Sequence, residues 1–174
     1  ARIKSGQSDI ALVGGAATSE RPDALLIFEL CGVNLKGGYA PVWKRAPNGG
    51  LAIGALGAFI VIEAREHAQA RGARCLARLS AVQAEHTRRK PGDVEASLTR
   101  MWGALGDKTT GGAVGALSGA TGVEPATTEE RTFFGRHPDI AVRATGSYVG
   151  HGNEPQFVMN IALATVALGH GTLY

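Results

Sequence analysis

The stretch LAIGALGAFIVIE, residues 51 to 63, carries no charge before its final glutamate. Strict alternation would give a strand one polar face for water. This run is apolar on both faces, and its glycines mark places where backbone packs closely. Such a strand belongs in a buried sheet, covered on both sides.

Helical and strand patterns alternate along the rest of the chain. Residues 1 to 4 read as a helix end closed by Gly6, and 9 to 13 as a short buried strand stopped by Gly14-Gly15. Arg21 to Gly32 reads as a helix with Ala24, Leu25, Phe28 and Cys31 on one stripe; a Gly- and Pro-rich loop follows from Lys36 to Gly50. Residues 64 to 72 form a polar helical pattern closed by Gly72, and CLARLSAVQAEH (75 to 86) alternates as a strand. Asp93 stands as the cap of a helix with Val94, Leu98, Trp102 and Leu105 on one side. A strand over 113–119, a helix over 127–135 capped by Thr127 or Thr128, a strand over 139–146 and a helix over 154–169 complete the series. Strands alternating with helices imply an α/β architecture with buried sheets.

Composition narrows the function. With 174 residues, 44% of them hydrophobic, the chain fits one globular domain with a real core. The net charge of +3 is scattered, and only Arg88-Arg89-Lys90 cluster. That triplet reads as a solvated loop or a docking point for a phosphorylated carrier protein. Without a lysine-rich stripe interleaved with aromatics, nucleic-acid binding is not expected. Cys31 and Cys75 lack metal-type spacing and read as reduced, partly buried packing thiols of a cytoplasmic protein. The apolar run from Phe157 to Leu168 is too short for a membrane span and is interrupted by Asn160. No charged-then-apolar leader opens the chain. Its first residues read as the tail of a helix, and it stops where a further strand is expected, so it reads as a piece of a larger protein. His67, His86, His137 and His170 read as surface residues, Trp43 and Trp102 as packing residues.

Four blocks, in order, carry a family resemblance. ARIKSGQSDIALVGGAAT is similar to the segment after a nucleophilic cysteine, and GGLAIGALGAFIVIEAREHAQARGAR to a stretch built around glycine-glutamate-glycine. LSGATGVEPATTEER lies where a histidine-glycine-threonine motif would fall, with a downstream glutamate matched by Glu129. ATGSYVGHGNEPQFVMNIALATVALGHGTLY resembles a serine-x-x-glycine-histidine segment and its long helix. Together they resemble the β-ketoacyl-acyl carrier protein synthases, condensing enzymes of the thiolase fold. The resemblance implies a layered αβαβα arrangement in one compact domain. Residues 1–63 would be the end of its first half and 64–174 most of its second.

That family joins an acyl thioester to a malonyl thioester, using a cysteine at a helix N-terminus and two further groups that stabilise the enolate. By resemblance the nucleophile would lie about three helical turns before Ala1. Ser118 stands at the first family histidine, Gly146 at the family lysine, and Ala55 with Leu56 at the glutamate-glycine pair. His151 alone matches. It has two readings: a donor to a thioester or enolate oxygen, or a turn residue whose ring bonds backbone. Glu129 and Ser147 are candidates for support behind the reacting groups. Each has a structural alternative, a solvated first-turn carboxylate for Glu129 and a cap for Ser147. NEPQF after His151 replaces small residues and would refill space near the pocket.

The resemblance implies no metal and no organic cofactor, substrates carried on acyl carrier protein phosphopantetheine, and a homo- or heterodimer. Two functions follow: a condensing enzyme of fatty-acid or polyketide synthesis, or a catalytically degenerate, chain-length-factor-like partner of an active synthase. A stand-alone acyl-binding module ranks behind both.

Overall fold

The computed structural model describes residues 2–45, 49–88, 90–109 and 112–174; Arg89 of the basic triplet lies outside them. Among the described residues four strands pair in two sheets. β1 (Ile10–Ala17) runs antiparallel to β2 (Leu56–Glu63), with Ile10 opposite Glu63 and Ala17 opposite Leu56. β3 (Gly115–Ser118) runs parallel to β4 (Ala141–Ala144), so Ser118 and Ala144 end side by side. The helices are α1 (Pro22–Leu30), α2 (Arg65–Ala70), α3 (Asp93–Leu105), α4 (Ala126–Gly135), α5 (Gly146–Val149) and α6 (Gln156–His170). α6 packs along β2 and also touches β1 and β3, so one helix joins both sheets; α3 packs against α4.

β1 runs through Gly14-Gly15 instead of stopping there. Phe59 faces Gly14 on the opposite strand, and a Cβ at Gly14 would sit 2.3 Å from its ring. Glycine therefore lets an aromatic cover the strand. β2 is covered on the side of α6, where Ala58 is buried, while Phe59 and Val61 on its other face are exposed. The sequence reading had both faces covered.

The core gathers elsewhere. Val42, in a 3-10 turn inside the Gly- and Pro-rich loop, is 0% exposed and packs with Ala120, Ala144 and Trp43. The α3–α4 interface closes over Trp102 and Phe133, whose rings are 6.0 Å apart and nearly perpendicular. His137 is not a surface residue: its ring lies 5.3 Å from Trp102 and 4.8 Å from Phe133. His67 is half-buried, bonded through Nδ1 to Glu63 at 2.5 Å.

Four local expectations are corrected. Residues 75–86 form no strand, because no described strand lies beside them to take their backbone bonds; Leu76, Leu79 and Val82 are exposed. Cys31 and Cys75 are exposed, since α1 buries no residue and Cys75 opens that unpaired segment. Asp93 does not cap α3. Its carboxylate accepts from the Lys90 amide, and the cap comes from another helix. Neither Thr127 nor Thr128 is the N-cap of α4, which is Pro125; the Thr127 hydroxyl instead bonds back to the Val123 carbonyl.

Candidate functional site

The parallel strands β3 and β4 deliver their carboxyl ends to one place. From Ala144 the chain passes through Thr145, the short α5 and Gly150, whose φ of +73° suits glycine, to His151. His151 is clamped by backbone: its N–H donates to the Ala52 carbonyl at 2.7 Å, and its carbonyl accepts from Gly54 at 2.9 Å. The clamp depends on Gly54, where a Cβ would lie 2.0 Å from the Val149 carbonyl oxygen. The imidazole itself has no hydrogen bond among the described residues. Burial holds its pKa below the usual histidine value, with the Glu154 carboxylate pulling the other way. The ring is therefore neutral at pH 7, with one nitrogen able to donate and the other to accept.

A buried polar seam runs beside it. The Thr145 hydroxyl donates to Asn160 Oδ1 at 2.8 Å and accepts from Gln156 Nε2 at 2.8 Å, while Gln156 Oε1 accepts from the Gly152 amide at 2.8 Å. Within NEPQF, Pro155 is fully buried and Gln156 nearly so, while Glu154 and Phe157 are exposed. The Leu56 side chain lies against Gly152, where a Cβ would meet it at 2.2 Å. A bulky residue at 56 and a glycine at 152 thus fit each other.

Ser118 is 3% exposed at the end of β3, and its Oγ accepts from the Ala120 amide at 2.9 Å. Its carbonyl receives the Thr145 hydroxyl only at 3.4 Å, a weak contact that still ties it to the seam. At Gly146, a Cβ would lie 3.2 Å from the Ala120 carbonyl and 3.5 Å from Val42. Ser147 accepts from the Val42 amide through Oγ at 2.9 Å and from Tyr39 through its carbonyl at 2.6 Å. It pins the core loop.

Glu129 points away from this cluster. It is buried, and its carboxylate accepts amide bonds from Gly92 at 2.8 Å, Val94 at 2.8 Å and Glu95 at 3.1 Å. Those donors are the unsatisfied amides at the start of α3.

The structure adds three features that sequence reasoning missed. Burial raises the pKa of the Glu130 carboxyl, and the Ser118 hydroxyl partly opposes the rise. Arg45, 7% exposed, donates to the carbonyls of Ala40, Gly50 and Thr121 and leaves Nη2 without a partner among the described residues. An open cleft of about 440 Å³ is lined by Ala52 and Ile53, which clamp His151, and by Leu25, Leu35, Glu29 and Asn34. No sequence signal marks Arg45 or the cleft. Glu130 follows Glu129 directly in sequence, yet the two carboxyls serve different neighbours. Among the described residues no three His, Cys, Asp or Glu side chains gather in a way that could hold a metal ion.

No protein-family model and no curated protein matches the chain. Solved structures do. A ketosynthase/chain length factor of ishigamide aligns over 98% of this chain and 43% of its own, at 24% identity and a TM-score of 0.73. An oxazolomycin ketosynthase domain from Streptomyces albus JA3453 aligns over 97% of this chain and 32% of its own, at 19% identity and 0.80. A β-ketoacyl synthase from Burkholderia phymatum STM815 aligns over 97% and 44%, at 21% identity and 0.71. The chain therefore carries a mixed α/β, thiolase-like ketosynthase fold and spans less than half the length of each of these structures. No helix among the described residues is long and apolar enough to cross a membrane.

Proposed function

We propose that this ketosynthase-fold chain is part of a protein that handles acyl thioesters in fatty-acid or polyketide synthesis, joining them to malonyl units presented by an acyl carrier protein. His151 would donate to the thioester or enolate oxygen. One observation carries the reading: the ring is neutral, half-buried and unbonded among the described residues, while the backbone on both its sides is fixed. A ring serving only its turn would spend a nitrogen on backbone. A preorganised, desolvated donor is what a developing oxyanion needs. No metal or organic cofactor enters this reading, and dimerisation with a synthase subunit belongs to it.

The test is release of CO₂ from malonyl-carrier protein by the protein that carries this chain. His151→Ala should lower the rate by about a hundredfold to a thousandfold. A rate equal to wild type would end the assignment of His151.

The second reading, a degenerate chain-length-factor-like partner, is favoured by a specific observation. Ser118 and Gly146 supply no titrating group, and Gly146 lies close against the Ala120 carbonyl. Co-purification with an active synthase, with no CO₂ release by this protein alone, would select it. A stable homodimer with full activity would reject it.

A further inference from the structure

Two of the hydrogen bonds that fix the backbone at His151 run from backbone to backbone, through Ala52 and Gly54; a third comes from a side chain. It holds the far end of the peptide that follows His151. The carbonyl of that peptide accepts from Gly54 at 2.9 Å, and its N–H, on Gly152, donates to Gln156 Oε1 at 2.8 Å. Gly152 and Gln156 are both buried, so bulk water is no substitute for that acceptor.

The other end of the Gln156 amide sets which way it faces. Nε2 donates to Thr145 Oγ1 at 2.8 Å and to Asn160 Oδ1 at 3.2 Å, and the Thr145 hydroxyl donates to the same Asn160 oxygen at 2.8 Å. Turning the amide over would set donor against donor at Gly152 and acceptor against acceptor at Asn160. One orientation is therefore available, and it presents an oxygen to Gly152. Thr145, Gln156 and Asn160 are all neutral, so the direction of these bonds does not change with pH.

We infer that Gln156 is a positioning residue for His151: its side-chain oxygen fixes the plane of the peptide between His151 and Gly152, and through it the direction of the imidazole. The rotamers open to a side chain depend on φ and ψ, and ψ of His151 is set once that plane is held at both its carbonyl and its N–H. The ring has no hydrogen bond of its own among the described residues, so the backbone carries the aim. Gln156 transfers no proton. That the aimed ring serves a thioester or enolate oxygen rests on the function proposed above; that Gln156 aims it does not.

Three readouts, on the protein that carries this chain, test the assignment. In hydrogen exchange the Gly152 amide of the unaltered protein should be as slow as those of His151 and Gly54. Gln156→Met, close in length but without an oxygen, should release it. Gln156→Glu keeps an oxygen for Gly152 in either protonation state and should keep it slow. In NMR of carbon-13-labelled histidine, the ring signal that disappears in His151→Ala should shift in Gln156→Met and return to its wild-type position in Gln156→Glu. In CO₂ release from malonyl-carrier protein, Gln156→Met should lower kcat about tenfold at unchanged KM, and Gln156→Glu should recover most of that loss. In a His151→Ala background Gln156→Met should cost nothing more, because the group it misplaces is gone.

Free exchange at Gly152 in the unaltered protein would overturn the inference before any variant is made. So would an unmoved ring signal in Gln156→Met, a Gln156→Glu variant that behaves as Gln156→Met, or the same tenfold loss with and without His151. If exchange and ring signal respond as stated while His151→Ala leaves CO₂ release unchanged, Gln156 positions the ring and the proposed role of His151 falls.

Discussion

Glu129 shows how far a single side chain can act from its own helix. Its carboxylate takes the amides of Gly92, Val94 and Glu95, so α4 caps α3 across the interface that Trp102 and Phe133 fill. Glu129→Ala should cost about 2 kcal/mol, the value of a lost cap with charge-assisted bonds. Urea unfolding would show this as a lower midpoint at unchanged slope; an unchanged midpoint would mean that solvent or another group caps α3 equally well. His151 gives a pH signature. Its folded pKa lies below the unfolded value near 6.5, so the folded chain resists taking the proton. Stability is then full above that value and falls as pH drops below it, towards the folded pKa. Thermal unfolding between pH 7 and 5 should show this decline, reduced in His151→Gln; equal slopes would contradict the shift. Of the site, the turn at His151 was legible from its flanking glycines, whereas His151 became a candidate only through the family resemblance. Glu130 was not legible, since its raised pKa comes first from burial, which the residues next to it in sequence do not report.

At the scale of elements, the clamp between residues 52–54 and 149–151 decides where the His151 turn sits. Gly54→Ala places a methyl against backbone, at 2.0 Å from the Val149 carbonyl oxygen, and no rotamer relieves that. A loss of about 3 kcal/mol is expected, together with faster hydrogen exchange at the His151 and Gly54 amides. Wild-type exchange at both amides would show that the clamp opens at no cost. α2 offers a contrasting case. Glu63 holds His67 and Arg71, and these bonds, Arg71 first, hold its pKa at about 2 against an ordinary 4.5. Since the folded pKa is depressed, the anchoring of α2 to β2 is complete above about 4.5 and fades as pH falls towards 2. Amide exchange in α2 should accelerate over that window, and Glu63→Gln should remove the response; acceleration that persists in Glu63→Gln would place its origin elsewhere. The order of strands and helices was readable from periodicity except for the strand expected over 75–86, which does not form, and α5, which was not expected. Their limits and caps were not, because Phe59 extends β1 over Gly14, Glu129 replaces Asp93 as a cap, and residues 75–86 have strand periodicity without a neighbour to pair with.

Across the whole molecule, apolar surface is unevenly distributed. The outer face of the β1–β2 sheet presents Leu12, 70% exposed, directly opposite Val61, with Phe59 lying over Gly14 beside them. α1 adds Leu26, Ile27 and Leu30 to the exposed set, and α6 adds Phe157, Val166 and Leu168. The apolar run over 51–63 was legible as a strand needing two covers, and the described residues supply one, α6. A two-stranded sheet with one bare apolar face is marginal in water and prone to association. The chain on its own should therefore self-associate with rising concentration, in a way that charge on that face reverses. Leu12→Lys with Val61→Glu places an opposite-charge pair at directly facing positions, which sheets tolerate. Light scattering should show a concentration-dependent mass for wild type and a constant monomer mass for the double variant, with the same circular dichroism. A wild-type chain that stays monomeric at high concentration would mean this face is not the source of association. A double variant that still associates would move the source to α1 or α6, where Leu30→Lys and Leu168→Lys separate the two.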